Sequence, residues 1–180
     1  MTPSDDPGER ESATRGQHFC LIFEDAHEQF RAVAPMIRSA LRNGDRCIYV
    51  AGGAVQSAVT ALAESGLPVH EEMRRGALMF LTAAEYAAWG RPTTGPFDPQ
   101  RFLQSAGQAV EAAVAAGFRG VHFSVEMTWT TAAGIEPRYV QAYERLVDAE
   151  AFPKLPVSAV CQYDLARLPL EVSEAALRNH

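Results

Sequence analysis

The sequence predicts an α/β fold: a three-layer sandwich built on a mainly parallel central sheet. Two observations carry this. Short, nearly all-apolar runs recur along the chain, as strands covered on both faces require. Between successive runs lie stretches with apolar residues at helical spacing, and strands that alternate with helices make parallel sheets with helices on both faces.

The elements follow in order. "HFCLIF", residues 18–23, is the first strand. A helix is expected over residues 26–43, with Phe30, Val33, Ile37, Ala40 and Leu41 on one stripe. Pro35 interrupts that stripe and predicts a kink or a late helix start, and Gly44 closes it. "RCIYVA", residues 46–51, is the second strand, followed by a helix over residues 54–65 that ends at Gly66 and Pro68. "ALMFLTA", residues 77–83, is the third strand. The loop over residues 89–99, "WGRPTTGPFDP", is dense in Pro and Gly and long enough to serve as a flap over a site. Asp98 and Pro99 suit the cap and first turn of the next helix, which runs to about residue 116. "RGVHFSVE" is the fourth strand; a helix over residues 137–150, a fifth strand "PVSAVCQYD" and a helix from about residue 170 complete the chain.

Composition narrows the function classes. At 180 residues the chain suits one domain, and 47% hydrophobic with 21% charged residues is an ordinary globular balance. No apolar run reaches the roughly 18 residues of a membrane span. Residues 1–16 are polar, acidic and rich in Pro and Gly, and read as a disordered leader, not a signal peptide. Residues 17–180 form the single domain. A net charge of −6 argues against nucleic-acid binding. Cys20, Cys47 and Cys161 each lie inside an apolar run and read as reduced, buried thiols of a cytoplasmic protein. No CxxC or HxxxH pair is present, so no closed metal site is expected; His18 and Cys20 share a strand face, where a metal pair is the lesser reading beside a cysteine that is simply core.

In a parallel sheet, ligands bind beyond the carboxyl ends of the strands. Those ends carry Glu24 and Asp25; Gly52 and Gly53; Thr82; Ser124, Glu126 and Trp129; and Gln162, Tyr163 and Asp164. A nucleotide hydrolase of this layout would place GxxxxGK[ST] after its first strand, where backbone N–H groups and a lysine hold phosphates. Here that position reads "EDAHEQF", which has neither glycine nor lysine, and the chain's one lysine, Lys154, lies elsewhere. The GxGxxG dinucleotide fingerprint is also missing.

"GQHFCLIFED", "IRSALRNGDRCIYVA", "GFRGVHFSVEMTW" and "VSAVCQYD" together resemble the MEDS domain, the sensory domain of methanogen and methylotroph regulators. The most specific pieces are Glu126-Met127-x-Trp129 and Cys161-Gln162-Tyr163-Asp164. The resemblance covers about residues 16–168. It implies a RecA/KaiC-like fold with a degenerate phosphate loop, and a role in sensing small organic molecules such as hydrocarbon derivatives.

The function expected is a small-molecule-sensing regulatory domain in a signalling or transcriptional control pathway, not an NTPase and not an enzyme. Its ligand-binding residues are expected to be Glu126, Trp129, Tyr163, His18, Glu24 and Gln162, with no catalytic residue, metal or cofactor. The first strand is expected near the centre of the sheet, so that Glu126, Trp129 and Tyr163 converge on one cavity with His18 close by. Packing roles compete for each: Glu126 as a cap, Trp129 as core or lid, His18 as a strand-end histidine, Tyr163 as a sheet-edge group. His122 reads as core. One alternative is an enzyme with Glu126 as general base and His18 or Tyr163 as acid. Another is a protein-interaction module on the degenerate nucleotide face. Expected partners are a small organic ligand and a separate kinase, sigma-factor regulator or transcription factor, with no direct nucleic acid or membrane; a homo-oligomer is left open.

The acidic "EDAHEQF" segment has a direct consequence. Calorimetric titration with Mg-ATP is expected to show no micromolar binding, because carboxylates there repel phosphate.

Overall fold

The computed structural model describes residues 16–91 and 95–179. The expected leader, apart from Gly16, and residues 92–94 of the expected flap lie outside the described residues. In chain order the elements are β1 (His18–Phe23), α1 (Ala26–Arg42), β2 (Arg46–Ala51), α2 (Val55–Glu64), α3 (Val69–Arg74), β3 (Leu78–Thr82), α4 (Ala83–Ala88), α5 (Pro99–Ala115), β4 (Val121–Glu126), α6 (Trp129–Ala132), α7 (Pro137–Leu146), a π-helical turn (Val147–Ala151), β5 (Val157–Asp164) and α8 (Leu170–Asn179).

The strands form one sheet in the order β1-β5-β4-β2-β3, and every neighbouring pair is parallel. Helices cover both faces. On one, the α1 stripe of Val33, Ile37 and Ala40 and the α2 residues Val59 and Leu62 pack on Cys47, Tyr49 and Ala51 of β2. On the other, α4 to α8 pack on Ile48, Val50, Val121, Phe123, Val125 and Cys161. This is the three-layer sandwich that the alternating pattern predicts.

β1 is an edge strand, paired only with β5, and does not lie near the centre of the sheet as expected. Burial reflects the difference. Of the six β1 residues only Phe23 is buried, whereas seven of the eight β5 residues are. β5 is paired on both edges and so is enclosed, although β1 is the more apolar of the two in sequence.

Local sequence sets the helix starts. Asp25 caps α1 by accepting from the Glu28 amide at 2.9 Å, and the Glu28 side chain accepts from the Glu24 amide at 3.1 Å. Two carboxylates thus occupy the backbone amides at the very place where a phosphate loop would present them to an anion. α1 begins at Ala26 and runs through Pro35, so the late start that Pro35 suggested does not occur. Pro35 is exposed, which leaves the Arg31 carbonyl it cannot serve beside solvent. Thr82 and Glu85 form a capping box for α4. Asp98 caps α5, with Pro99 in its first turn, as expected. Of the 89–99 loop, Phe97 is buried against Trp129 and Phe102, and the Asp98 amide donates to the Gly90 carbonyl at 2.7 Å. Phe97 thus anchors the loop to the core, while Arg91, Gly95, Pro96 and Asp98 are exposed.

His122 lies mid-strand in β4, fully buried, with Nδ1 3.0 Å from Ser158 Oγ. Burial pushes its pKa down to about 4. Between that value and the ordinary pKa of about 6.5, the unfolded chain holds a proton on His122 that the folded chain does not. Stability therefore falls as pH drops through this window, by about 3 kcal/mol for the whole shift. Denaturant melts at stepped pH are expected to show this slope in the natural protein and a flatter one in His122→Leu.

Candidate functional site

Successive residues of a strand point to opposite faces of a sheet. In β4 and β5 this divides the candidate residues between two sites instead of gathering them in one cavity.

The first group lies beneath α1. Glu126 ends β4 opposite Gln162 of β5. Its Oε1 accepts from the Tyr49 hydroxyl at 2.6 Å and its Oε2 from the Gly52 amide at 2.9 Å. Gln29 Nε2 donates to Gln162 Oε1 at 2.9 Å and to Tyr49 Oη at 3.3 Å, and Gln162 Nε2 donates to Ser124 Oγ at 3.0 Å. The result is a buried polar seam tying β2, β4, β5 and α1 together. Burial, and then the Glu126 charge, push the Tyr49 pKa well up, so Tyr49 remains a neutral donor. Gly52 is required here: a Cβ on it would meet Thr128 Oγ1 and crowd Glu126 Oε2.

The second group lies on the opposite face, under α5, α7 and the π-helical turn. His18 Nδ1 lies 2.7 Å from Asp148 Oδ1, and its Nε2 lies 3.2 Å from Cys161 Sγ and 3.6 Å from Glu144 Oε2. The Tyr163 hydroxyl donates to Glu144 Oε1 at 3.1 Å. A carboxylate can only accept, so Nδ1 carries the proton given to Asp148, and Nε2 faces the Cys161 thiol and a Glu144 oxygen. The His18 ring stacks on Phe152 at 4.8 Å. Burial, then the Glu144 charge, raise the thiol pKa of Cys161 well above its usual range and that of Cys20 to about 11. Burial likewise raises the Tyr163 phenol.

Next to this polar end lies a cavity of about 30 Å³, walled by His18, Phe102, Ala106, Val125, Tyr143 and Cys161 among others. A larger groove of about 570 Å³ runs along α1 and α2 past His27, Arg31 and Arg38, and holds none of the candidate residues.

The structure thus brings Tyr163 and His18 together through Glu144, and brings Glu126 together with Gln162. It sets these two pairs on opposite faces. Trp129 joins neither pair. It is 1% exposed and sits in an aromatic cluster, edge-on to Tyr86 at 5.2 Å and beside Phe97 at 5.8 Å. Glu24 is exposed at the α1 cap, away from both groups. The common cavity expected for Glu126, Trp129 and Tyr163 is therefore not formed. Its argument followed strand ends and neglected which face each residue takes.

Four residues escaped the sequence reading: Gln29, Tyr49, Glu144 and Asp148. Each left a signal. Gln29 is four residues before Val33 and eight before Ile37 on the buried α1 stripe. Glu144 is four residues after Val140 on the buried face of α7, and Asp148 lies four further on. A polar group on an apolar stripe calls for a partner. Tyr49, in a strand buried on both faces, carries a hydroxyl that must be satisfied.

A parallel sheet in this order, helices on both faces and an α1 start filled by carboxylates define a RecA/KaiC-like sandwich without a phosphate loop. The chain belongs to the MEDS family, the methanogen/methylotroph, DcmR sensory domain, whose match spans residues 17–180. It is a sensory domain. Two solved structures share the fold. The flagellar accessory protein FlaH from Methanocaldococcus jannaschii matches with a TM-score of 0.57 and 11% identity, over 92% of this chain and 69% of that one. A KaiC-like protein from Pyrococcus horikoshii matches with a TM-score of 0.59 and 13% identity, over 90% of this chain and 70% of the other. At these identities the likeness is one of fold. No curated protein matches the chain. Among the described residues, no helix is long and apolar enough to cross a membrane.

Trp129 now has the surroundings of a core residue. Trp129→Ala is expected to cost about 3–5 kcal/mol of stability, the range for a buried aromatic, as read from the shift in denaturant midpoint at constant slope.

Proposed function

We propose that this sensory domain binds a small organic molecule in the cavity between the sheet and the α5–α7 layer, and that its occupancy is read by a separate kinase, sigma-factor regulator or transcription factor. The observation that carries this is the cavity itself. Its walls are aromatic and aliphatic, and its polar groups, His18 and Cys161, stand at one end. An apolar pocket with a few placed polar groups is what recognition of a small molecule needs. At about 30 Å³ it has room for one or two water-sized groups, which favours a molecule of very few atoms. Tyr86 and Tyr143, whose hydroxyls lie 3.3 Å apart, add a second polar point on the wall.

The reading is of a binding module and not of an enzyme. Both Glu126 oxygens are engaged by Tyr49 and Gly52, which supports a structural role for a residue that could otherwise have been a general base.

Thermal melting with a panel of one- to three-carbon alcohols, ketones and amines tests the proposal. At least one is expected to raise the melting temperature, with about 2.7 kcal/mol of stabilisation at a hundredfold excess over Kd. Ala106→Leu, which fills the cavity, is expected to abolish that rise while the variant stays folded. A rise that survives Ala106→Leu, or the absence of any rise across the panel together with no bound molecule in native mass spectrometry, would overturn it.

A further inference from the structure

We infer that His18, Glu144 and Cys161 form a binding site for a thiophilic divalent cation, zinc foremost, at the polar end of the cavity. The three donor atoms, imidazole Nε2, carboxylate Oε2 and thiol Sγ, come from β1, α7 and β5 and all lie within 4.8 Å of one another. Zinc bonds of about 2.0–2.3 Å at tetrahedral angles place neighbouring donors about 3.4–3.6 Å apart. The Nε2 to Sγ distance of 3.2 Å and the Nε2 to Oε2 distance of 3.6 Å already approach that spacing. The third pair, Sγ and Oε2, lies within 4.8 Å, and a cation bound by all three donors would draw it closer.

The surroundings have the arrangement that holds metal ligands in place. A ligating histidine commonly gives its other ring N–H to a carboxylate, which fixes tautomer and orientation. Asp148 takes the His18 Nδ1 proton at 2.7 Å. A ligating carboxylate is itself hydrogen-bonded; the Tyr163 hydroxyl donates to Glu144 Oε1 and so turns Oε2 toward the cluster. His18 and Glu144 side chains are 7% and 4% exposed, which limits competition from water. Asp148 comes from the π-helical turn, a local irregularity that is frequent at functional sites.

The donor set selects the metal class. One sulfur and one imidazole suit zinc and its neighbours, whereas magnesium and calcium demand oxygen ligands. Three protein ligands also leave the fourth tetrahedral position open, as in zinc sites that bind an exchangeable group. Here that position adjoins the apolar cavity, since His18 and Cys161 line both. On binding, the cation replaces the thiol proton: the metal–sulfur bond forms, the S–H bond breaks, and the proton leaves to solvent with no change of oxidation state. The cation site stands on its own three side chains; its use as the anchor for an organic ligand rests on the sensory reading above.

The test is titration of the reduced protein with Co²⁺. One equivalent is expected to bind, with intense tetrahedral d–d bands and a thiolate-to-cobalt charge-transfer band, both removed by Zn²⁺. Cys161→Ser is expected to lose the charge-transfer band, and Cys47→Ala, which alters a thiol on the other face of the sheet, to keep it. Asp148→Asn is expected to keep the band and weaken affinity about 10–100-fold, the scale of losing an outer partner. Absence of the band in folded natural protein, or its survival in Cys161→Ser, overturns the site. Repeating the small-molecule melts with chelator-stripped and zinc-loaded protein separates the two readings. Cobalt binding without any organic shift upholds the cation site and sinks the sensory cavity, while an organic shift without cobalt binding does the reverse.

Discussion

The alternation of side chains along β5 governs where chemistry is placed in this fold. Cys161 and Tyr163 turn toward α5 and α7; Gln162, between them, turns toward α1. Neighbours in sequence thereby serve different sites. β4 repeats the division: Phe123 and Val125 face the cavity layer, while Ser124 and Glu126 face the seam. A slip of one residue in the pairing of β5 would exchange the two sets and bury Gln162 in the apolar layer. The alignment of Glu126 with Gln162, and of Cys20 with Cys161, is therefore a condition for both sites at once.

The seam beneath α1 holds this face of the domain together with the protein's own side chains. Its polar groups find partners within the chain. Glu126 takes a hydroxyl and an amide, Gln162 links Ser124 to Gln29, and Gln29 reaches Tyr49. A buried carboxylate with such donors is stabilised, whereas one left bare would be costly. At the α1 start, Asp25 and Glu28 fill backbone amides that could otherwise attract an anion. The helix is thus tied at its origin and along its buried stripe by side chains of the protein itself.

Much of the fold was legible because it rests on short-range pattern. The apolar runs located all five strands, and Asp98 with Pro99 located the start of α5, since caps and strand burial are written in neighbouring residues. The short helices α3, α4 and α6 were not distinguished from loops, because six or fewer residues show little periodicity. The site was legible only in part. His18, Glu126, Gln162 and Tyr163 were singled out, but their partners Asp148, Tyr49, Gln29 and Glu144 lie 77 to 133 positions away in most cases, as with Gln29 and Gln162 or Tyr49 and Glu126. Such pairings depend on strand order. The expectation of a central β1 misplaced that order, and Trp129, read from its motif, proved to be held by aromatic packing that no motif reveals.

The edge position of β1 also accounts for the character of the His18 cluster. A central strand would have enclosed His18 completely, as β4 encloses His122, and burial of that kind drives an imidazole toward its neutral form. At the edge, the His18 side chain is nearly buried while its partner Asp148 is 38% exposed. The carboxylate that holds the ring is therefore hydrated on its outer side and pays only part of the desolvation cost of a buried charge. On the inner side, Phe102, Val125 and Tyr143 exclude water, which strengthens electrostatic contacts made at Nε2 and Glu144. Burial keeps the Cys161 thiol and the Tyr163 phenol protonated. An apolar chamber whose polar border is formed by one imidazole, one thiol and two carboxylates is thus a consequence of placing a histidine at the start of an edge strand, beside a strand whose buried face carries cysteine.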